Sequence, residues 1–164
     1  MQLRHRPYTL ELKHAFTIAT SSRTTTPAVL VEVERDGVIG YGEAAMPPYL
    51  GETQETAAAF LRQVDLTRFA DPFQLEEILP AIDAIAPGNT AAKAAVDIAL
   101  HDWIGRKLGA PWYRIWGLDP AKAPVTSFTI GIDTDEMVRR KTREADVYKI
   151  IKVKLGREND RAMI

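Results

Sequence analysis

The chain has 164 residues, of which 46% are hydrophobic and 26% charged, a composition typical of a globular protein with a substantial apolar core. Its 21 basic and 22 acidic side chains are dispersed and nearly cancel, which argues against nucleic acid as a partner. The absence of cysteine excludes disulfides, cysteine-bound zinc and a thiol nucleophile, and no apolar run approaches the roughly 20 residues that a membrane helix needs.

The first 45 residues predict an antiparallel β-meander. Residues 1–7 are basic but lead into alternating polar and apolar residues, so we predict no signal peptide and expect a cytoplasmic protein without a membrane partner. Residues 28–35 alternate clearly, and residues 38–44 form the returning strand. Between them stands Asp36-Gly37, a dipeptide favoured in type I′ hairpin turns.

Two loops flank this hairpin in the prediction. Residues 20–27 are rich in hydroxyl groups, and we interpret them as a polar surface loop or as a flap in which Arg23 could contact a carboxylate. Residues 46–51 form the second loop, where Tyr49 and Leu50 offer an apolar wall. Simple solvation of the arginine or packing of the tyrosine would produce the same pattern.

Three helices are predicted next, over residues 52–64, 71–85 and 90–108. An aspartate and a proline begin the second helix, as a capping residue and a first helical residue. Thr90 is the predicted cap of the third helix, and Gly109 ends it. The third helix is rich in alanine, which lets neighbouring elements approach its backbone closely.

The pattern then changes to alternating strands and helices. We predict a strand over residues 124–131, a helix over residues 134–146, a strand over residues 148–156 and a further helix beginning at residues 157–160. Such alternation favours parallel strands. Because a complete (β/α)₈ barrel takes about 250 residues, the sequence is expected to be the N-terminal portion of a longer protein.

The last strand carries two lysines. Because side chains alternate along a strand, Lys152 and Lys154 share one face and apolar residues occupy the other. By itself this pattern is typical of the solvated face of an antiparallel sheet or of a protected sheet edge. In a barrel, however, inward residues at the C-terminal end of a strand reach the active site. The pattern alone leaves both interpretations open.

A family resemblance favours the second interpretation. Residues 94–102, followed by residues 105–111, resemble the signature of the mandelate racemase and muconate lactonising branch of the enolase superfamily, and the 152–154 strand lies where that family has its Lys-x-Lys. The resemblance implies an α+β capping domain, an antiparallel meander plus helices, over residues 1–120. It implies the start of an α/β TIM-type barrel over residues 121–164, truncated after its second strand.

Within this branch, residues 126–130 and 152–156 are most similar to dipeptide epimerases of the Ala-Glu epimerase type. This resemblance implies an isomerase that removes the proton α to the carboxylate in the Glu residue of an Xaa-Glu dipeptide. The resulting enediolate is reprotonated on the other face. Lys154 would be the base, Lys152 would assist it and bind substrate, and Thr129 would contact substrate.

The same resemblance implies Mg²⁺ as the cofactor, with its carboxylate ligands and a second catalytic lysine beyond residue 164. The full-length protein is expected to be a homo-oligomer with a small-molecule dipeptide substrate. Arg23 is the candidate partner of a substrate carboxylate, Tyr49 and Leu50 are candidate apolar contacts, and Phe16 is a more distant one. Structural or surface roles are expected for His5, His14, His101, Asp97 and Asp102.

Two alternatives remain open from the sequence. A muconate cycloisomerase or an o-succinylbenzoate synthase would use the same lysine pair for a different outcome. The second alternative is not an enzyme: residues 1–164 would form a non-catalytic capping and interaction module. We expect the isolated 164-residue chain to be inactive as an epimerase.

Overall fold

A computed structural model describes residues 1–158 and 160–164. Three strands form one sheet in the order β1-β2-β3, with bounds β1 (Gln2–Ile18), β2 (Ser21–Arg35) and β3 (Val38–Ala45). The second and third strands pair antiparallel, and the two-residue connection between the first and second is one that only antiparallel neighbours can have. The predicted meander is therefore confirmed.

The turn between β2 and β3 has the predicted type. Asp36 and Gly37 both have positive φ, 53° and 74°, as a type I′ turn requires of its two central residues. This backbone twist matches that of the flanking strands, so the turn sets the register of the pair.

The predicted polar loop over residues 20–27 is wrong, because residues 21–27 belong to β2. Only two residues separate it from β1. Threonine and other β-branched residues favour the extended backbone, and the Oγ1 of Thr17 lies 2.8 Å from the Oγ of Ser22 on the neighbouring strand. Pairing along the hairpin satisfies backbone groups that the polar composition had suggested were left to solvent.

The three predicted helices are present, with shorter bounds for the first two: α1 (Gln54–Leu61), α2 (Leu75–Asp83) and α3 (Thr90–Leu108). A short 3₁₀ turn (Pro48–Leu50) precedes them and a short helix α4 (Trp112–Ile115) follows. Gly109, with a φ of 62°, ends the third helix as predicted.

The predicted start of the second helix is wrong. Asp71 accepts a hydrogen bond from the backbone N–H of Phe73 at 2.9 Å, which closes a local turn instead of capping a helix. The helix itself begins at Leu75.

The predicted cap of α3 is also wrong, because the capping group comes from elsewhere in the chain. The carboxylate of Glu52 accepts hydrogen bonds from the backbone N–H of Thr90 at 2.7 Å, from its hydroxyl at 2.8 Å and from the N–H of Ala91 at 3.0 Å. A carboxylate at this end also interacts favourably with the helix dipole. Glu52 therefore caps α3, the role that the sequence predicted for Thr90.

The chain divides into two compact units, residues 1–10 with 27–118 and residues 11–26 with 119–164. In the first unit α3 packs on β3, and the backbones approach closely at two glycines. A Cβ on Gly40 or Gly42 would collide with the carbonyl oxygen of Ala99 or Ala95, respectively. The largest buried side chains of this unit are those of Trp103, Phe60, Leu61, Leu66, Ile78 and Leu100.

The second unit contains the parallel pair β4 (Ser127–Ile130) and β5 (Ile150–Val153), joined through α5 (Asp135–Glu144). The predicted alternation of strand, helix and strand is confirmed. Thr134 caps α5 as its sequence suggests, accepting from the N–H of Met137 at 3.3 Å. A short helix α6 (Asp160–Met163) follows, while Asn159, in the predicted start of this helix, lies outside the described residues. No helix among the described residues is long and apolar enough to cross a membrane.

Candidate active site

The two parallel strands place the candidate lysines beside the candidate threonine. Thr129 on β4 is the register partner of Lys152 on β5, and partners in a parallel pair present their side chains to the same face. The backbone N–H of Lys154 donates to the carbonyl of Ile130 at 2.9 Å, which continues the ladder beyond Val153. Thr129, Lys152 and Lys154 therefore share one face of the β4–β5 pair.

The opposite face of the pair is apolar and packs under α5. Ile130, Ile132 and Val138 form a buried cluster, against which Phe128 and Val153 pack. This packing fixes which way the strands face, because a slip of one residue would bury the lysines and expose the isoleucines.

Both candidate lysines are accessible to solvent and take part in no ion pair with the described residues. The Lys152 side chain is exposed and Lys154 is half-buried. Among the ion pairs of the described residues, none involves either ammonium group. Two ammonium groups, two residues apart on one face, form a site that attracts an anionic group.

A cavity of about 560 Å³ in the second unit brings together other predicted residues. Arg23 and Thr129 both line it, as does Phe16. The guanidinium of Arg23 lies 5.5 Å from the centroid of the Phe16 ring, within the range of a cation–π contact. Lys152 and Lys154 do not line this cavity.

The two candidate apolar contacts belong to the first unit. Tyr49 and Leu50 lie on the 3₁₀ turn and are 86% and 42% exposed. Both side chains are therefore accessible to a ligand. Their role stays a prediction.

Lys141 is a residue that sequence reasoning missed. It lies on α5, is only 5% exposed, and donates from Nζ to Asp133 Oδ2 at 2.9 Å and to the backbone carbonyl of Ala15 at 3.0 Å. Burial raises the pKa of Asp133, but the hydrogen bonds from Lys141 and from the N–H of Thr134 outweigh that effect. The net result is a lowered pKa for Asp133. The spacing Val138, Lys141, Ala145 places this lysine on the buried stripe of the helix and could have revealed it.

The carboxylate of Glu144, at the end of α5, is bonded to three basic side chains. Its carboxylate lies 2.8 Å from Lys13 Nζ, 2.7 Å from His14 Nε2 and 3.1 Å from Arg140 Nε. The hydrogen bonds from Lys13 and then His14 lower the pKa of Glu144 to about 2. Glu144 therefore remains ionised throughout the physiological range and ties β1 to α5.

The acidic residues of α3 have structural contacts. Asp102 accepts from the backbone N–H of Tyr41 at 2.8 Å and from Arg106 Nε at 2.7 Å. Asp97 Oδ1 lies 2.8 Å from His101 Nδ1, one helical turn away. No group of three or more His, Asp or Glu side chains that could hold a metal ion occurs among the described residues.

Residues 3–117 match the family described as "Mandelate racemase / muconate lactonizing enzyme, N-terminal domain". The chain is 62% identical over 165 aligned positions to the L-Ala-D/L-Glu epimerase of Bacteroides thetaiotaomicron, covering 100% of this chain and 43% of that protein.

Two crystal structures of dipeptide epimerases are similar in fold. One, from Enterococcus faecalis, was determined with Mg and L-Leu-L-Tyr; it is 30% identical with a TM-score of 0.86, covering 99% of this chain and 48% of that one. Another, from Methylococcus capsulatus, holds Mg and L-Arg-D-Lys; it is 31% identical with a TM-score of 0.81, covering 98% and 47%. The chain thus spans less than half the length of these relatives.

Proposed function

The chain belongs to the mandelate racemase and muconate lactonizing enzyme family, and on that premise we propose that it is the first part of a dipeptide epimerase. Residues 1–120 would form the capping domain and residues 121–164 the first two strands and helices of the barrel. The substrate would be an Xaa-Glu dipeptide, since the relative with 62% identity acts as an L-Ala-D/L-Glu epimerase. The full-length protein is proposed to be a homo-oligomer.

The observation that carries the proposal is the register of the parallel pair. Thr129 stands opposite Lys152, and Lys154 follows two residues later on the same face. A hydroxyl and two ammonium groups side by side suit a substrate that presents a carboxylate and an acidic C–H bond. A solvated sheet face would have no need of this grouping at the C-terminal end of a parallel strand.

In the proposed reaction Lys154, as the free amine, takes the α-proton of the Glu residue. The electron pair of the broken C–H bond passes into the carboxylate, giving an enediolate. A proton then returns to the opposite face of the same carbon, supplied by a group outside this chain. Lys152 would hold the carboxylate of the substrate through its ammonium group and so assist Lys154.

The described residues do not fit a magnesium ion, because they contain no cluster of three acidic or imidazole side chains. We propose that Mg²⁺, present in crystals of both similar epimerases, is held by residues outside this chain.

Substrate selection is proposed to depend on Arg23, whose guanidinium could bind the side-chain carboxylate of the Glu residue bidentately. Arg23 and Thr129 line the same 560 Å³ cavity, which supports this role. Tyr49 and Leu50 are proposed as apolar contacts for the other residue of the dipeptide.

Deuterium exchange tests the proposal directly. The full-length gene product is incubated in D₂O with Mg²⁺ and a panel of L-Xaa-L-Glu dipeptides, and deuterium at the α-carbon is followed by mass spectrometry. We expect uptake at the Glu residue, and its loss in Lys154→Ala. Lys122→Ala, which removes an exposed lysine from the same unit, is the matched control and should retain full uptake.

Absence of exchange with every dipeptide, in folded and Mg²⁺-loaded protein, would overturn the epimerase proposal. Turnover of muconate, or of the o-succinylbenzoate precursor, would then assign the lysine pair to a cycloisomerase or a synthase instead. No turnover of any of these compounds would favour a non-catalytic role.

A further inference from the structure

The hairpin formed by residues 11–26 carries Arg23, and polar contacts attach it to the segment that follows β4. One of these contacts is made by the buried ammonium group of Lys141. A charge that is 95% removed from solvent is costly unless it is paired and hydrogen-bonded. An apolar residue of similar size would avoid this cost, so the role of the ammonium lies in the geometry that its bonds fix.

That role follows from the partners of the ammonium. Lys141 Nζ donates to Asp133 Oδ2 at 2.9 Å, in the segment that follows β4, and to the carbonyl of Ala15 at 3.0 Å, on β1. One group therefore bonds to both the hairpin backbone and the loop that follows β4. A methionine or leucine would fill the space without bonding to either.

A second contact fixes the same stretch of β1. The backbone N–H of Ile132 donates to the carbonyl of Thr17 at 2.9 Å. Gly131 makes this approach possible, because a Cβ there would lie 2.9 Å from the Thr17 carbonyl oxygen and 3.0 Å from its nitrogen. Ala15 and Thr17 are thus held on either side of Phe16.

Phe16 transmits this placement to Arg23. The guanidinium lies 5.5 Å from the centroid of the Phe16 ring, and the Oγ1 of Thr17 lies 2.8 Å from the Oγ of Ser22, the neighbour of Arg23 on β2. The position of Arg23 is therefore determined by residues that Lys141 and Ile132 hold in place.

We propose that Lys141 is a positioning residue, which sets the distance of Arg23 from Thr129 and so determines affinity for the acidic residue of the dipeptide. This inference rests on the proposed function. Lys141 touches no reacting atom in it, so its removal is expected to act on substrate binding and leave the chemical step intact.

Kinetics of the full-length enzyme with L-Ala-L-Glu and L-Ala-L-Gln test the proposal. In Lys141→Met we expect KM for L-Ala-L-Glu to rise about tenfold, the scale of a small misplacement of a binding group, with kcat within about twofold. KM for L-Ala-L-Gln should change little, since the amide makes no ion pair with Arg23. Lys141→Arg, which keeps a buried cationic donor, should recover most of the affinity, and Lys122→Met is the matched control.

A double-mutant cycle with Arg23→Ala separates positioning from general destabilisation. If Lys141 acts through Arg23, adding Lys141→Met to Arg23→Ala should raise KM no further. Additive effects of the two substitutions, or equal losses for both dipeptides, would overturn the proposal. If Lys141→Met does not fold by circular dichroism, the same cycle with Asp133→Asn replaces it, and additivity there counts equally against the proposal.

Amide hydrogen exchange gives a readout that needs no substrate. Residues 15–23 should exchange faster in Lys141→Met than in the wild type, with α3 unchanged. Equal exchange in the two proteins would overturn the anchoring role whatever the enzyme's activity. An inactive wild type with the expected exchange difference would instead count only against the proposed function.

Discussion

Gly42 occupies the point where β3 meets the backbone of α3. Its Cα faces Ala95, and any side chain there would collide with the Ala95 carbonyl oxygen and crowd the nitrogen of Ala99. Because a backbone carbonyl cannot move aside as a side-chain end can, Gly42→Ala should lower the free energy of unfolding by about 3 kcal/mol, the upper end of the usual cost of overpacking. Urea denaturation of the full-length protein, followed by circular dichroism, measures this.

The neighbouring residue gives a matched control for that substitution. Glu43 is exposed on the same strand, and Glu43→Ala should change the free energy of unfolding by no more than about 0.5 kcal/mol, as is usual at the surface. Equal stability of the two variants would show that α3 can shift away from the sheet, contrary to the packing described.

Single residues with local signals were predictable, and residues with distant partners were not. The shared face of Lys152 and Lys154 follows from strand alternation, and the turn at Asp36-Gly37 follows from the preference of those residues for positive φ. Glu52 lacks such a signal, and the helical spacing that marks Lys141 as buried does not indicate which groups it bonds to. Their partners lie 38 residues away at Thr90 and 126 residues away at Ala15, so only the folded chain identifies their roles.

The junction of β1 with α5 carries a prediction about acid stability. Glu144 bonds to Lys13 and His14 across this junction, and its pKa is lowered to about 2 from an ordinary value of 4.5. Because the folded value is the lower one, the stabilisation is complete above about pH 4.5 and is lost as the pH falls toward 2. Glu144→Gln should therefore be less stable than the wild type above pH 4.5 and approach it near pH 2.

Urea titrations at several pH values between 2 and 7 measure that difference. Glu11→Gln, which removes an exposed carboxylate from the same strand, is the control and should follow the wild type. A constant difference between Glu144→Gln and the wild type across this range would contradict the assigned role of the charge.

Among the elements, the helices and parallel strands were predicted with more success than the first hairpin. The 3.6-residue pattern of α5 and its Thr134 cap are local features, which sequence alone reports. Residues 21–27 had the composition of a loop, yet they extend β2 because β1 offers them a partner. Strand formation depends on such neighbours far more than helix formation does.

At the scale of the whole molecule, the two units differ in how much of their structure and function follows from the sequence. The first has its own buried core around α3, and its fold was predictable from helix signals and strand alternation. The second carries the candidate lysines on two strands only. On the proposed function, the residues that complete a site around Lys154 lie outside these 164 residues, so no periodicity within them indicates which residues they are.

The isolated chain is therefore expected to be inactive. Epimerisation needs an acid or base on each face of the α-carbon, and the β4–β5 pair offers lysines on one face alone. Residues 1–164, purified by themselves and incubated with Mg²⁺ and L-Ala-L-Glu, should form no L-Ala-D-Glu above the uncatalysed rate, as measured by chiral chromatography. The same chain with Lys154→Ala controls for contaminating host enzyme. Formation of L-Ala-D-Glu that the lysine substitution abolishes would mean that these residues serve both faces of the α-carbon, and the assignment of reprotonation to a group outside the chain would fall.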